Sequence, residues 1–206
     1  MSQARLWNRM AKVYARRAIS DTEGYQRKLD RMATRLDPTS RVLDAGCGTG
    51  TMALWLAPRV GHVRGLDFST SMIDIARSRA AETGIANVRF DVAAIDDLPP
   101  PEEPFDAALA MSVLHLLPDP GAVLASLAAH LRPGGMLFTS TVCLRDMGGI
   151  LPRLVPLLGR TGLIPRLRPL SMTEVIALHE EAGFRLLDHW HSGPGAALFI
   201  EAQRPA

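Results

Sequence analysis

The stretch Val42-Leu-Asp-Ala-Gly-Cys-Gly-Thr-Gly50 constrains this chain more than any other. A short β-like run, Arg41–Ala45, enters it, and a helical pattern over about 49–58 leaves it. That context gives a glycine turn its meaning. Gly46 and Gly48 have no side chains, so the backbone there can turn sharply and approach a ligand closely. Asp67 closes a second β-like run, Val63–Asp67, twenty-one positions after Gly46. A carboxylate at that place can accept both hydroxyls of a ribose, which selects an adenosine-type ligand.

The alternation of strand and helix continues. Val88–Val92, Ala107–Met111 and Met136–Val142 read as strands, with helices over 70–83 and 120–131 between them. Ser69 can cap the first of these helices, and Asp119 before Pro120 fits the start of the second. The rhythm implies a doubly wound α/β fold with a mostly parallel sheet. Residues 1–36 read as two helices joined near Ile19-Ser20, and Ser20-Asp-Thr-Glu23 has the form of a capping box. A second capping box, Ser171-Met-Thr-Glu174, opens a helix ending at Gly183. Phe184–Trp190 and Ala197–Ala202 flank His191-Ser-Gly-Pro-Gly195 and read as an antiparallel pair, bringing the sheet to seven strands.

Segment 143–170 breaks the rhythm with Pro152, Pro156, Pro165 and Pro169 and many leucines. It carries Arg145, Arg153, Arg160, Arg166 and Arg168 against one acid, Asp146. The chain is expected to be one domain over 1–206, with 1–36 as a helical cap and 143–170 as a substrate-lid insert. The net charge of +2 is too small to imply a nucleic-acid partner. Two cysteines, Cys47 and Cys143, make neither a disulfide framework nor a cluster site. No pair of His, Asp, Glu or Cys has metal-ligand spacing, so no metal is expected. His179, His189 and His191 read as surface features. The N-terminus lacks a signal-peptide run and no apolar stretch can span a bilayer, so a cytoplasmic setting is expected.

Two ligand classes use such a glycine turn. A nicotinamide dehydrogenase wants G-x-G-x-x-G, with a diphosphate on the helix N-terminus. Here the spacing is G-x-G-x-G, and Thr51 stands where the third glycine would fall. Asp44, just before the turn, would repel a diphosphate but suits the amino group of a methionine moiety. At this point the run V-L-D-A-G-C-G-T-G resembles the first motif of class I S-adenosylmethionine-dependent methyltransferases. Gly65-Leu-Asp67-Phe-Ser-Thr-Ser-Met72, Phe105-Asp106 and Leu131-Arg-Pro-Gly-Gly-Met-Leu137 extend the resemblance over roughly residues 40–142.

The resemblance implies S-adenosyl-L-methionine as cofactor and a role for each matching residue. Asp44 and the backbone of Gly46, Cys47, Gly48 and Thr49 would hold the methionine end, and Asp67 the ribose. Phe68 and Met72 would flank the adenine, with Ala94 and Ile95 covering its edge. Many family members carry an acid where this chain has Ala94; either Asp96 or Asp91 replaces it, or that bond is absent. Met111, at the end of the fourth strand, would lie beside the transferable methyl group. Tyr14 and Trp7 would fold over the cofactor, Tyr14 either bonding its carboxylate or anchoring a helix interface.

The sulfonium already activates the methyl carbon, so alignment of an acceptor and exclusion of water are what the protein must supply. His115 is the one candidate catalytic base, set against a structural reading as a loop buttress. Ala110-Met-Ser-Val-Leu-His115 lacks the Pro-Pro-aromatic run of base-modifying enzymes, which leaves a small-molecule acceptor. The leucines and arginines of 143–170 suggest that the acceptor is amphipathic or acidic, or that the insert touches an anionic membrane surface. The rivals are a non-catalytic S-adenosylmethionine-binding module and a nicotinamide oxidoreductase. Oligomeric state is not legible.

Overall fold

The computed structural model describes residues 3–17, 21–98, 101–149, 154–155, 158–159, 161–193 and 197–206. Two helices, α1 (Gln3–Ala15) and α2 (Thr22–Ala33), precede strand β1 (Arg41–Ala45). Then follow α3 (Thr51–Leu56), β2 (His62–Asp67), α4 (Thr70–Thr83), β3 (Val88–Val92) and β4 (Phe105–Met111). The chain ends with α5 (Pro120–His130), β5 (Leu131–Thr141), α6 (Met172–Glu181), β6 (Arg185–Trp190) and β7 (Leu198–Gln203). The seven strands form one sheet in the order β3-β2-β1-β4-β5-β7-β6. All neighbours are parallel except β7, which runs antiparallel to both β5 and β6. The expected mostly parallel, doubly wound sheet is what forms.

Helices on both faces make the central strands apolar on both sides, and the two-residue period sorts their side chains. Val42, Leu109 and Phe138 face a core that includes Leu29 and Met32 of α2, Leu56 of α3 and Ile73 of α4. Leu43, Ala108 and Leu137 point the other way, to Leu124 and Leu127 of α5 and Val175 of α6. Phe138 and Leu43 are fully buried side chains, each stabilising by about 1.5–3 kcal/mol.

The helix starts follow the sequence with one change. Ser69 accepts from Met72 N at 3.3 Å and Asp119 from Ala122 N at 3.0 Å. The Ser171–Glu174 capping box closes reciprocally. At α2 the cap is Asp21, whose Oδ1 accepts from Gly24 N at 2.8 Å. The expected Ser20 cap, the Ile19-Ser20 junction and part of the His191–Gly195 loop lie outside the described residues, as do Pro152, Arg153, Pro156 and Arg160. The helix expected over 49–58 is shorter, because Pro58 ends α3 in a 3-10 turn, Ala57–Arg59. β5 begins five residues before the expected Met136, since Leu131 already pairs with Phe105. His179 is not a surface residue. It is fully buried on α6, with Nδ1 against Val175 O at 2.7 Å and Nε2 against Thr139 Oγ1 at 3.0 Å. Helical periodicity places it inward, and those two partners make a buried neutral imidazole tolerable.

Candidate functional site

The parallel strands end together, and the turns leaving β1, β2 and β4 shape a cavity of about 670 Å3 there. Such a crevice at the carboxyl ends of strands, where the strand order reverses, is where open α/β sheets bind ligands. The reversal here lies between β1 and β4.

The floor is the glycine turn. Gly46 N and Cys47 N both donate to Leu66 O, at 2.8 and 2.9 Å, tying the turn to the end of β2. Gly46 has φ of +79°, and a Cβ there would meet Val113 Cγ2 at 2.9 Å. Only glycine fits without displacement. Asp67 braces the turn from β2: its Oδ2 accepts from Gly48 N at 3.0 Å and its Oδ1 from Ser69 N at 2.8 Å. Burial raises its pKa, and these two N–H donors oppose the rise. Each oxygen keeps acceptor capacity for a further donor.

Asp44 lies behind the turn at 1% exposure, and its Oδ2 has no hydrogen-bond partner. Burial, then the nearby Asp67 charge, push its pKa up to about 7, partly offset by the Ala53 backbone N–H. An unpartnered buried carboxylate oxygen is costly unless a donor arrives from outside the protein. A cationic amino group is such a donor, so the residues present fit the methionine end of S-adenosyl-L-methionine.

The remaining expected residues separate into two groups. Tyr14, Gly46, Gly48, Asp67, Phe68, Met72, Ala94, Ile95 and Met111 all border the cavity, as does Trp7. The Tyr14 ring covers the turn, 3.7 Å from where a Gly48 Cβ would stand, and stacks edge-on with Trp7 at 6.0 Å. Asp44, Cys47 and Thr49 do not border the cavity and belong to the strand end and turn that form its floor. Burial drives the Cys47 thiol far above its usual range, which removes it as a nucleophile. Thr49 Oγ1 is engaged by Arg79 Nη1 at 2.9 Å. Asp96 is on the cavity wall. Asp91 is held on the outer side by Arg64 at 3.2 Å and Arg89 at 3.0 Å. Of the two acids that could replace the one missing at Ala94, only Asp96 faces the cavity.

His115 sits beside the cavity but not on its wall. Its Nδ1 accepts from Val142 N at 3.4 Å and its carbonyl accepts from Arg168 N at 2.7 Å. Burial pushes its pKa down to about 4. The adjoining Ser112 has φ of +58°, the one non-glycine residue with positive φ among the described residues. Its N–H donates to Ser140 O at 2.7 Å, so the β4–β5 pairing holds that strained position at the cavity rim.

Sequence reasoning missed part of the wall. Gln3, Ala4, Leu116, Leu117 and Pro118 border the cavity. Arg166 and Arg168, named in the expected lid insert, border it too, with Leu167 between them. Arg166 N donates to Gln3 Oε1 at 3.2 Å, closing the insert onto α1. The spacing of Gln3, Trp7 and Tyr14, one face of α1, was the available signal. Arg145 instead pairs with Glu174.

Comparison with known proteins agrees with this geometry. Residues 42–135 match the family described as a methyltransferase domain. A ubiquinone biosynthesis O-methyltransferase of Xylella fastidiosa (strain 9a5c) is 39% identical over 108 residues, 52% of this chain and 44% of that protein. Methyltransferase GfsG of Streptomyces halstedii is 35% identical over 115 residues, covering 54% and 41%. The chain thus spans less than half the length of these curated relatives. Among solved structures, the [4+2]-cyclase SpnF superposes with a TM-score of 0.74 at 25% identity, over 87% of this chain and 80% of that one. An S-adenosylmethionine-dependent methyltransferase of Mesorhizobium loti shares the fold, with a TM-score of 0.69 at 20% identity over 84% and 95%. Motif, strand order and matched segment agree, and the nicotinamide reading falls away: residues 42–135, a little under half of the chain, match the methyltransferase-domain family, and the sheet has the fold of a solved S-adenosylmethionine-dependent methyltransferase.

Proposed function

We propose that this protein is an S-adenosyl-L-methionine-dependent methyltransferase acting on an amphipathic or acidic small molecule in a cytoplasmic setting. One observation carries the reading: Asp44 Oδ2, buried and without a partner, behind a glycine turn that Asp67 braces. Asp44 takes the cofactor's amino group, Asp67 its ribose hydroxyls, and Asp96 the adenine edge beside Ala94 and Ile95. Phe68 and Met72 flank the adenine. When bound, the cofactor supplies a methyl group already activated by a sulfonium. Tyr14 and Trp7 cover the turn and keep water out, so that alignment beside Met111 does most of the remaining work.

The other half of the cavity is apolar, with Leu116, Leu117 and Leu167, and carries Arg166 and Arg168. That composition suits an acceptor with an apolar body and an anionic group. Arginine near the acceptor favours its ionised form, which needs no base. His115, neutral and already engaged by Val142 N–H, acts by holding the loop after β4. The whole of 1–206 works as one unit, with 1–36 as cap and 143–170 as lid.

The test is transfer of labelled methyl from S-adenosyl-L-methionine to a panel of amphipathic carboxylates and phenols. Arg166→Gln is expected to raise KM for acidic acceptors about tenfold with little change in kcat, consistent with loss of one charged hydrogen bond. Equal KM for parent and variant would remove the charge-recognition part. A second reading, cofactor binding without methyl transfer, is favoured by the likeness to a structure described as a cyclase. Binding without label transfer to any acceptor would support that reading instead.

A further inference from the structure

Helix α1 has three faces, and only two are accounted for by the cavity and α4. Asn8 and Ala15 meet α4: Asn8 Oδ1 accepts from Ser69 Oγ at 2.6 Å, and Ala15 O from Arg79 Nη2 at 2.9 Å. Gln3, Trp7 and Tyr14 wall the cofactor cavity. The third face carries Leu6, Met10 and Val13, spaced by four and three residues; Leu6 is buried at its base, and Met10 and then Val13 are increasingly open. With Arg16, Arg17 and Leu163 of the insert, these line a second open groove of about 680 Å3.

This face is apolar where a chain in water normally is not. Val13 is 75% exposed and Leu163 80% exposed, and Leu158 of the insert is also exposed. Cations flank these apolar tips in the sequence. Residues 3–17 contain Arg5, Arg9, Lys12, Arg16 and Arg17 and no acid. Between Asp146 and Glu174 there is again no acid. An amphipathic helix with large apolar side chains and flanking cations is the form that lies in a bilayer interface. Each cation near an anionic leaflet adds to the attraction, whereas neutral or cationic surfaces offer none.

We infer that the groove face of α1, together with Leu163, docks on an anionic lipid bilayer. The apolar tips enter the headgroup boundary and Arg16 and Arg17 meet lipid phosphates. Because Tyr14 borders both the groove and the cofactor cavity, docking sets the cavity beside the membrane surface. The inference stands apart from the methyl-transfer reading, since it needs neither cofactor nor acceptor.

The experiment is co-sedimentation of the intact chain with vesicles of phosphatidylcholine alone or mixed with phosphatidylglycerol. Binding is expected only to the anionic vesicles, falling as salt rises. Arg16→Glu is expected to weaken it about tenfold, and Val13→Asp or Leu163→Asp about tenfold through lost insertion. Thermal melting selects variants that fold, and any one of the three suffices for the comparison. Absence of binding to phosphatidylglycerol vesicles at low salt would overturn the proposal, as would equal binding to neutral vesicles. So would unaltered binding by the folded variants. Light scattering that shows a dimer lost in Leu163→Asp, with no vesicle binding, would assign the face to a second copy of the chain instead.

Discussion

At Asp44 the local environment works against the ordinary chemistry of a carboxylate. With its pKa held near 7, the free protein below neutrality carries Asp44 protonated, and a cationic amino group then finds no charge to meet. Ligand affinity should therefore fall on acidification by up to about tenfold per pH unit below about 7, and level off above it. Calorimetry of S-adenosylhomocysteine binding across that range checks this; pH-independent affinity would exclude the role. Asp44→Asn is expected to flatten the profile and to weaken binding at alkaline pH by about 10–100-fold, the loss of a charge-assisted hydrogen bond. The neighbouring Gly46 answers a different question. Gly46→Ala puts a methyl group 2.9 Å from Val113 Cγ2 at a φ of +79°, which should cost about 1–3 kcal/mol in urea unfolding.

Among elements, α2 is fixed by an ion cluster the glycine motif says nothing about. Glu201 of β7 is fully buried, and Arg31 Nη2 and Arg35 Nε of α2 each reach it at 2.5 Å. The two partners are not equivalent. The arginine side chains are 34% and 40% exposed, so either can turn to water if the acid is lost. Glu201 cannot. Removing both arginines strands a buried charge, worth about 3–5 kcal/mol, whereas Glu201→Gln keeps an acceptor and frees cations near solvent. Arg31→Met with Arg35→Met should thus destabilise the chain by at least about 2 kcal/mol more than Glu201→Gln, read from urea midpoints at equal m-value. The reverse order would contradict the asymmetry. Lys28 adds a lighter tie from the same helix, donating to Ser140 Oγ at 2.9 Å.

Over the whole molecule the buried titrating groups pull in opposite directions. His115 and His179 are both pushed down by burial to about 4, so each protonates first in the unfolded chain and loses stability for the fold as pH falls from about 6.5. Asp44, raised to about 7, holds its proton in the folded state and works against them over the same window. Two protons less one leaves one, or about 1.4 kcal/mol lost per pH unit of acidification between about pH 6.5 and 4; the raised Asp67 trims this at the acid end. Urea unfolding at several pH values checks the slope, and a flat curve would refute it. The sheet and the turn that floors the cavity were legible because a two-residue period and a glycine turn are local signals. Ser171, Ser69 and Asp119 cap as their sequence contexts imply, for the same reason. What was not legible depends on contacts far apart in the chain: Glu201 with Arg31, His179 with Thr139, Gln3 with Arg166. His115 was visible as a histidine near the site, but only the packing shows its Nδ1 already engaged. The central claim is that Asp44 and Asp67 together grip an adenosyl amino acid. Titrating the intact chain with S-adenosylhomocysteine at mildly alkaline pH should give one-to-one binding on the order of micromolar, about 8 kcal/mol, weakened about 100-fold or more in Asp67→Ala. No heat with the parent chain, or equal heat with both, would contradict it.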